Sequence, residues 1–164
     1  MSYPPVLYDG VEGETSAWVT PADREPDLVY PNGNRVHHVA TGASTGGLFG
    51  LYRWSFAGPP SGPGPHVHRT ISESFYVLEG VVRIYDGREW VRAGSGDFVH
   101  VPPGGLHGFR NEDGAAEMLL HLRTPQHRQP DLLLAPGALH FDAVPELAVD
   151  LHDQRHLVLD EESR

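Results

Sequence analysis

The sequence contains no cysteine, which excludes disulfides, thiolate metal ligands, a cysteine nucleophile and thiol redox switching. It contains no lysine either: all 12 basic residues are arginine, so no lysine Schiff base can form. No apolar run approaches membrane-spanning length, and residues 1–10, MSYPPVLYDG, show neither a basic start nor an apolar stretch. A leader peptide is therefore not expected, and a cytoplasmic place is. Positive charge is scarce, the formal net charge being −10. With no basic patch or helix-turn-helix pattern to offset it, that acidity opposes phosphate backbones and argues against nucleic-acid binding. Helical periodicity is also rare, and 164 residues suit one domain with a real core.

What is abundant is glycine (19), proline (15) and histidine (11). Glycine and proline punctuate about eight or nine short apolar segments, the pattern of a closed or double-sheet antiparallel fold. The segments read as strands over 35–41, 47–57, 73–80, 81–85, 89–92, 97–101, 106–111 and 116–123. Asp86-Gly87 reads as the hairpin turn joining the fourth to the fifth. Residues 58–65, GPPSGPGP, can be neither helix nor central strand and predict a stiff loop. Three regions result: an extended N-terminal arm over 1–27, a barrel over 28–123, and a C-terminal extension over 124–164. In that extension Pro145 opens a short helical stretch.

Two stretches carry the chemistry. His66 and His68 are two residues apart in an extended segment, so both imidazoles leave the same face. Glu73 lies five residues past His68, an odd offset that sends it to the other face of an uninterrupted strand. A break within 69–72 restores the parity, and Thr70 and Ser72 suit one. The second stretch, 97–111, turns at Pro102-Pro103-Gly104-Gly105 and returns with His107. Three imidazoles and a carboxylate suit one divalent transition metal, iron, nickel, manganese, copper or zinc, with positions left for water or substrate.

These stretches resemble the paired motifs of the cupin superfamily, G-x5-H-x-H-x4-E-x6-G and G-x5-P-x-G-x2-H-x3-N. His66, His68, Glu73 and Gly80 fit the first, and Gly96, Pro102, Gly104, His107 and Asn111 the second. One position departs: the opening glycine of the first motif is Pro60, between Gly58 and Gly62. The resemblance implies an all-β cupin barrel, a jelly roll, with His66, His68, Glu73 and His107 as metal ligands. It also implies a dioxygenase like the quercetinase-like small cupins, in which Glu73 takes a proton from an enolisable, aromatic hydroxy-ketone. A non-redox isomerase, cyclase or decarboxylase is the first alternative, and a metal- and ligand-binding protein without turnover the second.

Strand parity points Phe75, Val77 and Phe109 inward as an apolar pocket wall, and Tyr52, Trp54, Met118 and His121 are further candidates to line it. His37 and His38 must face opposite ways, which places one of them to point into the barrel. The 47–57 strand is apolar on both faces, Leu48, Tyr52, Trp54 and Phe56 against Phe49 and Leu51. Such a strand is covered on both, so a homodimer is expected, with cover by the N-terminal arm as the alternative. Beyond a small-molecule substrate and a second copy of the chain no partner is expected, neither nucleic acid nor a membrane.

Overall fold

The computed structural model describes residues 6–112 and 114–123. Nine strands follow one another: β1 (Leu28–Val29), β2 (Arg35–Ala40), β3 (Phe49–Phe56), β4 (Ser72–Glu79), β5 (Val81–Tyr85), β6 (Trp90–Gly94), β7 (Phe98–Val101), β8 (Gly108–Asn111) and β9 (Ala116–Arg123). No helix occurs among the described residues, and the helical stretch expected near Pro145 lies outside them. Every pairing is antiparallel. One sheet has the order β1-β2-β3-β9-β4-β7 and the other β6-β5-β8. The two inner faces meet in one core, the all-β cupin fold that the motif spacing implies.

Alternation decides which residues enter that core. Along β3, Gly50, Tyr52, Trp54 and Phe56 are buried while Phe49, Leu51, Arg53 and Ser55 lie half-exposed on the outer face. Along β9 the buried set is Ala116, Met118, Leu120 and Leu122. Across the sheet these residues stack in rows, Val36–Trp54–Met118–Val77 and then Tyr52–Leu120–Phe75. Phe109, Ile84 and Val82 close the core from the smaller sheet. Each fully buried side chain of this kind stabilises the fold by about 1.5–3 kcal/mol.

Local chemistry adjusts the edges of the expected strands. The hairpin between β5 and β6 is wider than a two-residue turn: the Asp86 carboxylate accepts the backbone N–H groups of Arg88 and Glu89, and Tyr85 pairs with Trp90. A bulge between His38 and Ala40 bends β2. Residues 6–27 form no strand or helix, and residues 20–27 lie along that bend. Asp27 accepts the His38 N–H at 2.7 Å, Arg24 donates to the His38 carbonyl at 2.8 Å, and Thr20 donates to the Val39 carbonyl. Arg53 on β3 donates to the Ala22 carbonyl. The arm thus covers the Arg53 end of the outer face and leaves Phe49 and Leu51 half-exposed.

Candidate metal centre

The expected break between His68 and Glu73 is present. His66 pairs with His107 in an isolated antiparallel bridge, its N–H donating to the His107 carbonyl at 2.7 Å and its carbonyl accepting the His107 N–H at 2.9 Å. A second tie runs from the Gly104 N–H to the His68 carbonyl at 2.7 Å. The chain then bends at Arg69-Thr70, and β4 starts at Ser72. This bend turns Glu73 inward, in line with Phe75 and Val77. His107 comes from the turn before β8, one residue outside the strand and not within it as the spacing predicts.

One side chain from each position converges. The candidate ligand atoms of His66, His68, Glu73 and His107 lie within 4.8 Å of one another. His107 Nε2 is 2.6 Å and His68 Nε2 is 3.2 Å from Glu73 Oε2. His66 Nδ1 donates to the Gly64 carbonyl and His107 Nδ1 to the Gly105 carbonyl, at 2.8 and 2.9 Å. A proton fixed on Nδ1 leaves the Nε2 lone pair aimed at the shared centre, the orientation a metal-bound imidazole needs.

These residues fit a divalent ion on evidence beyond their type. His66 Nε2 and Glu73 Oε1 are buried with no hydrogen-bond partner among the described residues. Buried polar atoms left that way are costly, and an ion would satisfy both. A single ion about 2.1 Å from each ligand needs ligand atoms no more than about 4.2 Å apart, so small shifts of the imidazoles suffice.

The electrostatics agree. Burial pushes the Glu73 carboxyl up, yet hydrogen bonds from His107 and His68 outweigh it and hold the group below its ordinary range. Burial pushes His107 down, and its bond to Glu73 more than reverses this, so its imidazolium is favoured. Burial lowers His66 and keeps it neutral, the form that binds a metal.

Asn111 braces the loop leading into the site. Its carboxamide oxygen accepts the Ser61 N–H at 2.8 Å, and its NH₂ donates to the carbonyls of Gly58 and Gly114. In the same loop Gly62 supplies what the motif's missing glycine would. Its φ is +151°, and a Cβ there would stand 2.1 Å from the Phe109 carbonyl oxygen. Pro60 is exposed and leaves that contact alone.

The pocket residues expected from parity divide three ways. Phe75, Val77, Phe109 and Met118 are fully buried packing of the core. Tyr52 and Trp54 line a cavity, together with Leu28, Tyr30, Val36, His38 and Leu120. His121 is a correction: it lies on the outer face between the buried Leu120 and Leu122, its ring against Phe49 at 5.4 Å. Of the two adjacent histidines, His38 is the one that faces inward, edge-on to Tyr52. Sequence reasoning missed Tyr30 and Leu28, since two residues before a turn carry no strand signal of their own.

The chain matches the cupin-domain family model over residues 54–122. No curated protein matches it. Among solved structures, KdgF from Halomonas sp. superposes with a TM-score of 0.56 at 17% identity, over 67% of this chain and 96% of that one. A predicted oxalate decarboxylase from Thermotoga maritima gives 0.56 at 18%, over 66% and 100%. A cupin superfamily protein from Desulfitobacterium hafniense gives 0.52 at 16%, over 66% and 100%. At such identities the likeness concerns the fold. No helix among the described residues is long and apolar enough to cross a membrane. By its paired motif, its two-sheet barrel and its match over residues 54–122, this chain carries a cupin domain.

Proposed function

We propose that this chain holds one divalent transition metal on His66, His68, Glu73 and His107 and acts as a dioxygenase on a small, enolisable, aromatic hydroxy-ketone. The observation that carries this reading is the split role of the Glu73 carboxylate. Oε2 is engaged by His107, while Oε1 is buried and without a partner.

The bound metal would supply Lewis acidity and, for iron, nickel, manganese or copper, access to dioxygen chemistry. The remaining work belongs to the protein. His66 and His107, locked through Nδ1, hold the donor geometry. Glu73 Oε1 takes the substrate hydroxyl proton, an assignment supported by a carboxyl kept ionised despite burial. Phe75 beside His107, at 6.3 Å between ring centres, keeps that side of the site dry.

The test is metal content by mass spectrometry on untagged protein, wild type beside the His66→Ala/His107→Ala double variant, followed by oxygen uptake with aromatic hydroxy-ketones. About one equivalent of metal, lost in the variant, with substrate-dependent oxygen consumption is the expected result. Protein that stays metal-free after reconstitution overturns the proposal. Zinc without oxygen uptake moves it to an isomerase, cyclase or decarboxylase using Lewis-acid chemistry.

The proposal extends to a homodimer through the outer face of the larger sheet. Support comes from Phe98, Tyr76 and Leu119, which lie in one cross-strand row. Phe98 and Tyr76 are 64% and 44% exposed.

A further inference from the structure

Every one of residues 6–19 is exposed. Six of them are large and apolar, Val6, Leu7, Tyr8, Val11, Trp18 and Val19, each between 49% and 102% exposed. Among the described residues no hydrogen bond ties this stretch to the barrel; its Tyr8 hydroxyl donates to the Glu12 carbonyl within the stretch itself. The root of the arm is different, since Thr20, Ala22, Arg24 and Asp27 are bonded to β2 and β3. A fixed root therefore carries an uncovered apolar segment out from the β2 side of the larger sheet.

The same chain exposes a second apolar surface. Phe98 on β7, Tyr76 on β4 and Leu119 on β9 form one row of the outer face, and that row continues to Arg53, which holds Ala22 of the arm root. β7 ends the sheet, so Phe98 stands at an open edge. Contiguous apolar surface left in water marks a contact site. Within one chain the arm and the row do not cover each other, because both are exposed.

Area decides what a contact between two copies needs. A buried aromatic side chain contributes about 150–250 Å². Two copies meeting through Phe98 and Tyr76 alone bury at most about 1,000 Å² of ring surface, short of a standard interface of about 1,600 Å². Tyr8 and Trp18 from each arm double the number of rings and bring the total to about 1,200–2,000 Å², the range of a stable interface.

We propose that residues 6–19 of each copy cross to a second copy and lie over its Phe98–Tyr76–Leu119 row, so that the dimer is closed by a reciprocal exchange of arms. This rests on the outer-face dimer proposed above and names the segment that completes it. Reach is sufficient: the 14 residues extend to about 46–50 Å, whereas the outer face from β2 to β7 spans four strand spacings, about 19 Å. A two-fold axis makes the exchange reciprocal and leaves no arm to recruit a third copy.

The test uses full-length protein and light scattering, with Val11→Ser/Trp18→Ser beside wild type. Both side chains are exposed in their own chain, so the far-ultraviolet spectrum should not change, while the dimer dissociation constant rises at least tenfold. The partner surface is read by cross-linking, which a chain without cysteine makes specific. Val11→Cys and nitrogen-15-labelled Phe98→Cys are mixed and treated with a short bis-maleimide. A link between labelled and unlabelled chains is expected. Its absence overturns the exchange, as does a link formed within one chain of the Val11→Cys/Phe98→Cys double variant, which would show the arm folding back on its own barrel. A dimer kept in Val11→Ser/Trp18→Ser but lost in Tyr76→Glu overturns the exchange and leaves the face-to-face dimer standing. A monomeric wild type overturns both.

Discussion

His107 Nε2 stands 2.6 Å from Glu73 Oε2, and both side chains are almost fully buried. The bond joins the turn before β8 to the first inward residue of β4. One proton can be shared across it, and a divalent ion that displaced the proton would take both atoms as ligands.

Glu73→Gln keeps the shape of the site and removes the base. With oxygen uptake as the readout, the rate is expected to fall about 10²-fold or more. Metal content, measured on the same sample, should persist on the three imidazoles. A near-wild-type rate with metal bound would remove Glu73 from the base role.

The same pair predicts how the chelated protein responds to pH. His107 is raised above its ordinary 6.5, so its contribution is complete below 6.5 and is lost as pH climbs through the raised value. Glu73 is lowered below 4.5, so its contribution is present above 4.5 and is lost as pH falls through the lowered value. His66, lowered by burial, opposes this by destabilising the fold as pH drops below 6.5, so it is in chelated His66→Ala protein that the melting temperature should peak between about pH 4.5 and 6.5. Metal affinity should instead rise with pH across the His107 titration, because the ion competes with that proton. Melting temperatures of that variant that rise steadily from pH 5 to 8 without metal would contradict the pairing.

Two substitutions separate the loop glycines. Gly62→Ala drives a methyl into the Phe109 carbonyl and forces a left-handed φ on alanine, at a cost of about 2 kcal/mol or more in urea unfolding. Pro60→Gly restores the family's motif residue at an exposed position and should change stability by no more than about 1 kcal/mol. A large gain from Pro60→Gly would show that Gly62 does not fill the role.

For the proposed dimer, Tyr76→Glu places a carboxylate in the centre of the Phe98–Tyr76–Leu119 row. Light scattering should give a dimer for wild type and a monomer for the variant, with an unchanged far-ultraviolet spectrum. A monomeric wild type at tens of micromolar rules the interface out.

The metal centre was legible because its signals are local. His66 and His68 declare their common face by spacing, and Thr70 lies where the parity has to be repaired. His107 follows a Pro-Gly turn. The cavity was hidden because it depends on pairings between distant strands: Tyr30 meets Trp54 only once β1 joins β2 and β2 joins β3. The misplacement of His121 was avoidable. Met118 and His121 are three apart, and a straight strand cannot turn both to the same side. The Gly62 substitution for the motif glycine needed φ values and the position of the Phe109 carbonyl, neither of which composition reveals.

The backbone bridge between His66 and His107 and the Asn111 brace behind it are ordinary main-chain and amide hydrogen bonds. They tie the claw together through protein atoms alone. A cradle built this way offers nitrogen and oxygen donors to any first-row cation that fits, and intrinsic preference among such cations follows the general affinity series, with copper at its top. On the proposed function, the element bound would then be set by the free concentrations where the protein folds, and the same polypeptide made in two hosts would be two different metalloproteins.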